Sequence, residues 1–176
     1  MRREEMKRKM SSSMAEPAPI TAAVVTVSDS CARGERDDLS GPAVAQLLLK
    51  LHFKIAAREV VSDDSVKIQN LLIRLARQVQ LVVTTGGTGI AARDVTPEVT
   101  TAVCERLLDG VAERMRSEGA KKTPFAALSR GVCGVRGRAL ILNLPGSPAG
   151  AVESLEVVAG LLPHALELLG GKTEHR

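Results

Sequence analysis

Aromatic side chains are nearly absent from this 176-residue chain, which has two phenylalanines, Phe53 and Phe125, and no tryptophan or tyrosine. Proteins that bind single-stranded nucleic acid stack bases on such rings, so we expect no nucleic-acid partner. The three cysteines are widely spaced and form no metal-ligand pattern. No run approaches the ~20 apolar residues of a membrane span. The composition favours a cytoplasmic protein with an aliphatic core and no membrane partner.

The formal net charge is +4, and much of the excess lies in the first ten residues, MRREEMKRKM. A segment rich in Ser, Ala and Pro follows, and neither piece has an apolar run from which to build a core. We therefore predict a disordered tail over 1–19, one domain over 20–170 and a short C-terminal tail over 171–176.

Short β-branched runs alternate with stretches of helical periodicity along the rest of the chain. Strands are predicted at 20–29, 53–61 and 81–84, and in a hairpin-like segment at 131–148. Helices are predicted at 41–51, 63–79, 97–108, around 111–118 and at 148–169. This alternation indicates an α/β fold with a mostly parallel sheet covered on both faces. Ligands bind such sheets beyond the carboxyl ends of the strands, where this sequence places polar residues.

The segment from Thr84 to Glu98, TTGGTGIAARDVTPE, has three glycines within four residues. Its amides can approach an anion closely, and successive N–H groups form an anion-binding concavity. A carboxylate beside it, Asp94, suits metal-assisted chemistry on a nucleotide. No lysine follows the glycines, which excludes a Walker loop. Gly87, Gly89 and Ala92 match the spacing of a dinucleotide fingerprint, but that motif opens a helix directly. The hypothesis of a nicotinamide-dependent oxidoreductase therefore rests only on the spacing of these three residues.

Asp94 is the first candidate for a catalytic or metal-binding group, because Thr96 is better placed to cap the helix predicted at Pro97. Asp63 precedes another helix and has two interpretations. It either caps that helix or faces the cleft, since Asp64 and Ser65 can also cap.

Three further segments carry candidates of the same kind. Ser28 and Asp29 end the first strand, where they either form a turn or meet a substrate. Ser147 caps the final helix, whose free amides also suit an anion. Arg130 belongs to a basic cluster with Arg136 and Arg138, which either neutralises phosphate or forms a solvated rim.

Together these motifs resemble the MoaB/Mog family of molybdopterin-binding proteins, and within it the molybdopterin adenylyltransferases and the gephyrin G domain. The matching segments, in the family's order, are TVSDS, DDLSGP, SDD, TTGGTG with RDVTPE, ALSRG and NLPGSP. The resemblance implies a three-layer α/β/α fold, a homotrimer and other molybdenum-cofactor biosynthesis proteins as partners. It also implies Mg²⁺-dependent transfer of AMP from ATP to the terminal phosphate of molybdopterin, with release of pyrophosphate.

The resemblance further implies that Asp63 and Asp94 form the catalytic pair that handles Mg²⁺ and the nucleotide. The residues it implies for binding molybdopterin and ATP are Ser28, Asp29, Thr85, Gly86, Gly87, Thr88, Gly89, Thr96, Ser129, Arg130, Asn143, Leu144, Pro145, Gly146, Ser147 and Pro148. Two positions depart from the family pattern: Ser62 stands in place of a proline, and Ala149 in place of a common lysine. A non-catalytic trimeric molybdopterin-binding or scaffold protein is the alternative.

Overall fold

Six strands form one sheet in the order β2-β1-β3-β6-β5-β4. The computed structural model describes residues 18–171, so the predicted tails lie outside the described residues except at their inner ends. The strands are β1 (Thr21–Val27), β2 (Lys54–Val61), β3 (Leu81–Thr85), β4 (Arg106–Leu107), β5 (Cys133–Arg136) and β6 (Ala139–Leu144). The first four strands of the sheet order are parallel, and β5 and β4 extend it in antiparallel pairing.

Residues 18–171 also form seven α-helices. They are α1 (Asp29–Ala32), α2 (Ser40–Lys50), α3 (Ser65–Ala76), α4 (Thr96–Val103), α5 (Asp109–Ala120), α6 (Pro148–Val158) and α7 (Leu162–Leu169). Short 3-10 turns occur at Pro124–Leu128 and Ala159–Leu161. None of the helices in this range is long and apolar enough to cross a membrane.

The sheet has a separate aliphatic core on each face, because successive strand side chains point to opposite sides. Val24, Val83 and Leu142 face the core formed with α2, α5, α6 and α7. Val25 and Val82 face the core formed with α3 and α4. The predicted mostly parallel sheet with helices on both faces is thereby confirmed.

The bounds of all the predicted helices shift in the structure, and two of these helices differ most. The helix predicted to reach Leu108 ends at Val103, because Glu105 and Leu108 donate backbone hydrogen bonds to β5, at Val135 and Cys133. The final helix is interrupted by the 3-10 turn at Ala159–Leu161. Pro163 follows that turn, and proline removes a helical hydrogen bond and crowds the carbonyl four residues earlier.

Candidate functional site

Four strands end in register at one edge of the sheet. Thr26 of β1 pairs with Thr85 of β3, which pairs with Leu144 of β6. At the other side of β1, Val27 pairs with Val61 of β2. The loops after these strands therefore begin side by side.

The loop after β3 turns sharply through Gly86 and Gly87, whose φ angles are +93° and +64°. Residues other than glycine rarely adopt positive φ angles of this size. A β-carbon on Gly86 would also collide with the backbone carbonyl of Val27, and one on Gly87 with the hydroxyl of Thr96. Backbone conformation and close packing both require glycine at this turn.

The carbonyl groups of this turn are all held by the protein. The hydroxyl of Thr96 donates to the Gly86 carbonyl at 3.1 Å, and its amide donates to the Gly87 carbonyl at 3.2 Å. Arg130 holds the carbonyls of Thr88 and Gly89, through its amide at 2.9 Å and its Nε at 2.7 Å.

The amides of the turn differ from its carbonyls in their hydrogen bonding. Within residues 18–171, the N–H groups of Gly87, Thr88 and Gly89 donate to no protein acceptor. Three successive amides without a protein partner, with their carbonyls fixed, make a backbone concavity suited to a phosphate.

Asp63 and Asp29 are joined by two reciprocal hydrogen bonds. The Asp29 amide donates to Oδ2 of Asp63 at 2.9 Å, and the Asp63 amide donates to Oδ1 of Asp29 at 3.0 Å. Asp64, not Asp63, caps α3 by accepting from the Lys67 amide at 2.9 Å. Of the two interpretations of Asp63, the structure therefore supports the one in which its side chain faces the cleft.

Burial raises the pKa of the Asp63 carboxyl above its ordinary value, and the charges of Asp29 and Asp94 raise it further. The backbone hydrogen bond from Asp29 and the charge of Arg93 act in the opposite direction. The carboxylates thus repel one another across the cleft, an arrangement that a bound cation would relieve.

Asp94 is positioned by its own loop. Its Oδ2 accepts a hydrogen bond from the Ala91 amide at 2.9 Å, and its amide donates to the Ala91 carbonyl at 2.9 Å. The expected capping role of Thr96 is wrong, because Val95 occupies the cap position of α4 without a side-chain hydrogen bond. The Thr96 hydroxyl instead fixes the glycine turn.

A cavity of about 600 Å³ opens at this edge of the sheet. Its walls come from the segments after β1, β2, β3 and β6, and from the loop before α2. The predicted site residues that line it are Ser28, Asp29, Asp63, Thr85, Gly86, Gly87, Asp94, Gly146, Ser147 and Pro148. We call this space the carboxylate cavity.

A second cavity of about 430 Å³ lies on the other side of the glycine loop. Met115, Phe125, Leu128 and Val157 give it apolar walls, and we call it the apolar cavity. The predicted site residues that line it are Thr88, Gly89, Ser129, Asn143, Pro145, Gly146 and Ser147. Gly146 and Ser147 border both cavities, so the two spaces meet at the loop after β6.

Three predicted site residues line neither cavity. Thr96 and Leu144 are fully buried, and Arg130 lies on an outer surface with Pro97 and Glu98. Asn143 borders the apolar cavity, but its side-chain amide donates to the hydroxyls of Thr84 and Thr100, at 3.0 and 2.9 Å.

Residues without a predicted role also line the carboxylate cavity, among them Arg36, Asp38, Ser40 and Arg93. Asp38 accepts hydrogen bonds from the Thr26 hydroxyl at 2.8 Å and the Gly41 amide at 2.9 Å. It therefore ties the loop before α2 to the end of β1. Asp38 belongs to the DDLSGP segment, and an aspartate just before a predicted helix is a sequence signal for a hydrogen bond to an amide of the first helical turn.

Comparison with known proteins agrees with this architecture. A family model described as a probable molybdopterin binding domain matches residues 23–164. The structure resembles MoaB, a molybdopterin biosynthesis enzyme from Thermus thermophilus, with a TM-score of 0.82 and 51% identity over 87% of this chain and 98% of that one.

Two curated relatives are named molybdopterin adenylyltransferase. The Helicobacter pylori (strain J99) protein is 41% identical over 157 residues, covering 84% of this chain and 86% of its own length. The Escherichia coli (strain K12) protein is 38% identical over 165 residues, covering 84% of each. The family match and these relatives, which share the chain over most of its length, show that it belongs to the molybdopterin-binding domain family.

Proposed function

We propose that this protein is a molybdopterin adenylyltransferase of molybdenum-cofactor biosynthesis. In this reaction an oxygen of the terminal phosphate of molybdopterin forms a bond to the α-phosphorus of ATP. The bond from that phosphorus to the oxygen bridging to the β-phosphate breaks, and pyrophosphate leaves. The names of the relatives support the activity. The observation that carries it in this chain is the row of three amides without protein acceptors beside Asp63 and Asp94.

Phosphoryl-group transfer requires positioning and charge neutralisation more than an activated side-chain nucleophile. The amides of Gly87, Thr88 and Gly89 would hold phosphate oxygens in a fixed geometry. Arg36 and Arg93 line the carboxylate cavity together with Gly87 and would neutralise further charge. The N-terminus of α6, at Pro148, also borders the cavity and favours anions through its dipole.

The carboxylates fit Mg²⁺ as the cation of the reaction. Oδ2 of each carboxylate accepts a backbone hydrogen bond, whereas Oδ1 of Asp63 and of Asp94 accepts none within residues 18–171. No group of three or more His, Cys, Asp or Glu side chains in that range is arranged to hold a metal. Mg²⁺ is commonly bound by one or two carboxylates, with water and substrate phosphates completing the shell. It would supply charge neutralisation at the reacting phosphates.

The two cavities differ in a way that suits two substrates. The carboxylate cavity contains the charged groups that a triphosphate requires, so we assign ATP to it. The apolar cavity offers Phe125 and Met115 to a flat heterocycle, and we assign the pterin to it. The phosphate of molybdopterin would then reach the α-phosphate across Gly146 and Ser147, which border both cavities.

Pyrophosphate release from ATP and Mg²⁺ tests the proposal, measured with and without freshly prepared molybdopterin. We expect release only when all three are present. Binding of molybdopterin without any release would instead support the non-catalytic binding or scaffold protein.

Assembly and location are separate proposals. The homotrimer and the partners in cofactor biosynthesis follow from the family resemblance, and the cytoplasmic location follows from the composition. Light scattering after size-exclusion chromatography would test the trimer, which predicts three times the 18.6 kDa mass of the chain.

A further inference from the structure

Arg130 contacts the glycine loop but does not line the carboxylate cavity. Its Nε donates to the Gly89 carbonyl at 2.7 Å, and its Nη2 donates to the Asp94 carbonyl at 2.6 Å. Its Nη1 is paired with Glu98 on α4. One guanidinium therefore joins both ends of the segment from Gly89 to Asp94 to the helix that follows.

The backbone around Arg130 connects this contact to the sheet. The Arg130 amide donates to the Thr88 carbonyl at 2.9 Å. Two residues later, Val132 exchanges hydrogen bonds with Asn143 of β6, through the Asn143 amide at 2.9 Å and the Asn143 side-chain oxygen at 3.3 Å. The loop is thus fixed to β6 through a short, hydrogen-bonded segment.

From this geometry we infer that Arg130 is a positioning residue, which fixes the phosphate-binding amides and Asp94 relative to each other. This inference rests on the proposed function, and it differs from a direct phosphate contact. Arg130 lines neither cavity, and its guanidinium contacts two carbonyl oxygens and a carboxylate of the protein. Those three contacts diverge, and the planar guanidinium can satisfy them together, whereas a lysine ammonium cannot.

Arg136 offers a matched control. It is also partly buried, and its Nη1 donates to the backbone carbonyl of Val103 at 2.6 Å. Val103 is the last residue of α4, whereas Arg130 contacts Glu98 near the start of that helix. Arg130→Gln and Arg136→Gln therefore remove the same charge and a guanidinium bond to a backbone carbonyl, and only the first variant alters contacts to the glycine loop.

The experiment measures amide hydrogen exchange and steady-state kinetics in both variants and in Arg130→Lys. In Arg130→Gln we expect faster exchange at Ala91, Asp94 and Thr96, whose amides are hydrogen-bonded within the loop. We expect kcat to fall by about 10- to 100-fold, because small displacements of reacting groups have such effects. KM for ATP and for molybdopterin should stay within about threefold, since direct binding contacts remain.

Arg130→Lys should recover little of the lost kcat, and Arg136→Gln should resemble the wild type in kcat and in exchange at the loop. A rise in KM with unchanged kcat, or recovery by lysine, would overturn the inference in favour of a phosphate contact. Unchanged loop exchange in Arg130→Gln would also overturn it. If the wild type releases no pyrophosphate, the proposed function fails, while the exchange comparison still decides whether Arg130 fixes the loop.

Discussion

The two cavities lie on either side of one loop and have opposite chemical character. The carboxylate cavity is formed where parallel strands end, and it collects Asp63, Asp94 and the free amide of Gly87, whereas Thr88 and Gly89 line the apolar cavity. The apolar cavity is formed between α5, α6 and the turn at Pro124–Leu128, away from the ends of β1 and β2. In the proposed reaction, the parallel part of the sheet would supply charge and phosphate binding, whereas helix packing would supply a surface for the pterin ring.

Replacing Asp94 by asparagine should have the largest effect, because it removes charge from the carboxylate cavity while retaining an oxygen for the Ala91 amide. We expect pyrophosphate release to fall by about 100-fold or more, since electrostatic stabilisation is commonly the largest contribution to catalysis. Asp64→Asn is the control: it makes the same change beside Asp63 at a cap position that asparagine also serves well. Equal activity in the two variants would show that the carboxylate cavity is not the reaction site.

Gly87→Ala tests the backbone of the glycine turn. Alanine at φ +64° is strained, and its β-carbon would displace the Thr96 hydroxyl that holds Gly86. We expect a loss of about 1–3 kcal/mol in the free energy of unfolding and a large loss of activity. Gly34→Ala is matched in backbone angle, with φ +70°, but has no atom within 4 Å of the new β-carbon. It should cost about 1 kcal/mol and leave activity intact, as chemical denaturation and pyrophosphate release would show.

Ala126→Phe tests the apolar cavity, which this side chain lines. A larger ring there would occupy space assigned to the pterin. We expect KM for molybdopterin to rise several-fold, with a smaller change in KM for ATP. The neighbouring Ala127 is exposed and lies outside the cavity lining, so Ala127→Phe should leave both values unchanged. A rise in KM for ATP alone would reverse the assignment of the substrates.

The smallest expected effect is that of Asp63→Asn on the melting temperature and on its dependence on pH. The folded-state pKa of Asp63 is raised by burial and by the charges of Asp29 and Asp94. The folded state therefore holds this proton more tightly, and ionisation at neutral pH destabilises it. The asparagine side chain removes that penalty, so the variant should melt at a higher temperature than the wild type at pH 7. The gain should shrink as pH falls toward the ordinary value of 3.8, because both states of the wild type then become protonated.

Calorimetry at pH 7 and pH 4 would measure this difference in melting temperature. Asp64→Asn again serves as the control, because it makes the same chemical change at an exposed helix end, outside the contact between Asp63 and Asp29. A wild type that is more stable than Asp63→Asn at neutral pH would contradict the repulsion between the carboxylates.

Local sequence patterns predict much of the fold, because β-branched runs, helical periodicity and glycine-rich turns each involve residues that are close together in the sequence. They also place Asp63, Asp94 and the glycine loop at the ends of strands. They do not predict the end of α4 at Val103, which depends on pairing with β5, about thirty residues away in the sequence. Local patterns do not predict the role of Thr96 either. Its hydroxyl donates a hydrogen bond to a carbonyl ten residues earlier, and only the folded turn brings the two groups together.

Arg130 shows the same limit within the candidate site. Its position in a basic cluster suggests either a phosphate contact or a solvated rim, and the sequence leaves both open. In the fold, its guanidinium contacts carbonyl groups 36 and 41 positions earlier. Such a role depends on the directions of individual donors, which periodicity and composition do not encode.

Transfer of a radiolabel from the α-phosphate of ATP to molybdopterin, in the presence of Mg²⁺, would identify both the acceptor and the bond that breaks. The wild type should transfer label in step with pyrophosphate release, and Asp94→Asn should transfer almost none while Asp64→Asn matches the wild type. Pyrophosphate release without labelled molybdopterin, or undiminished transfer by Asp94→Asn, would contradict the proposed reaction.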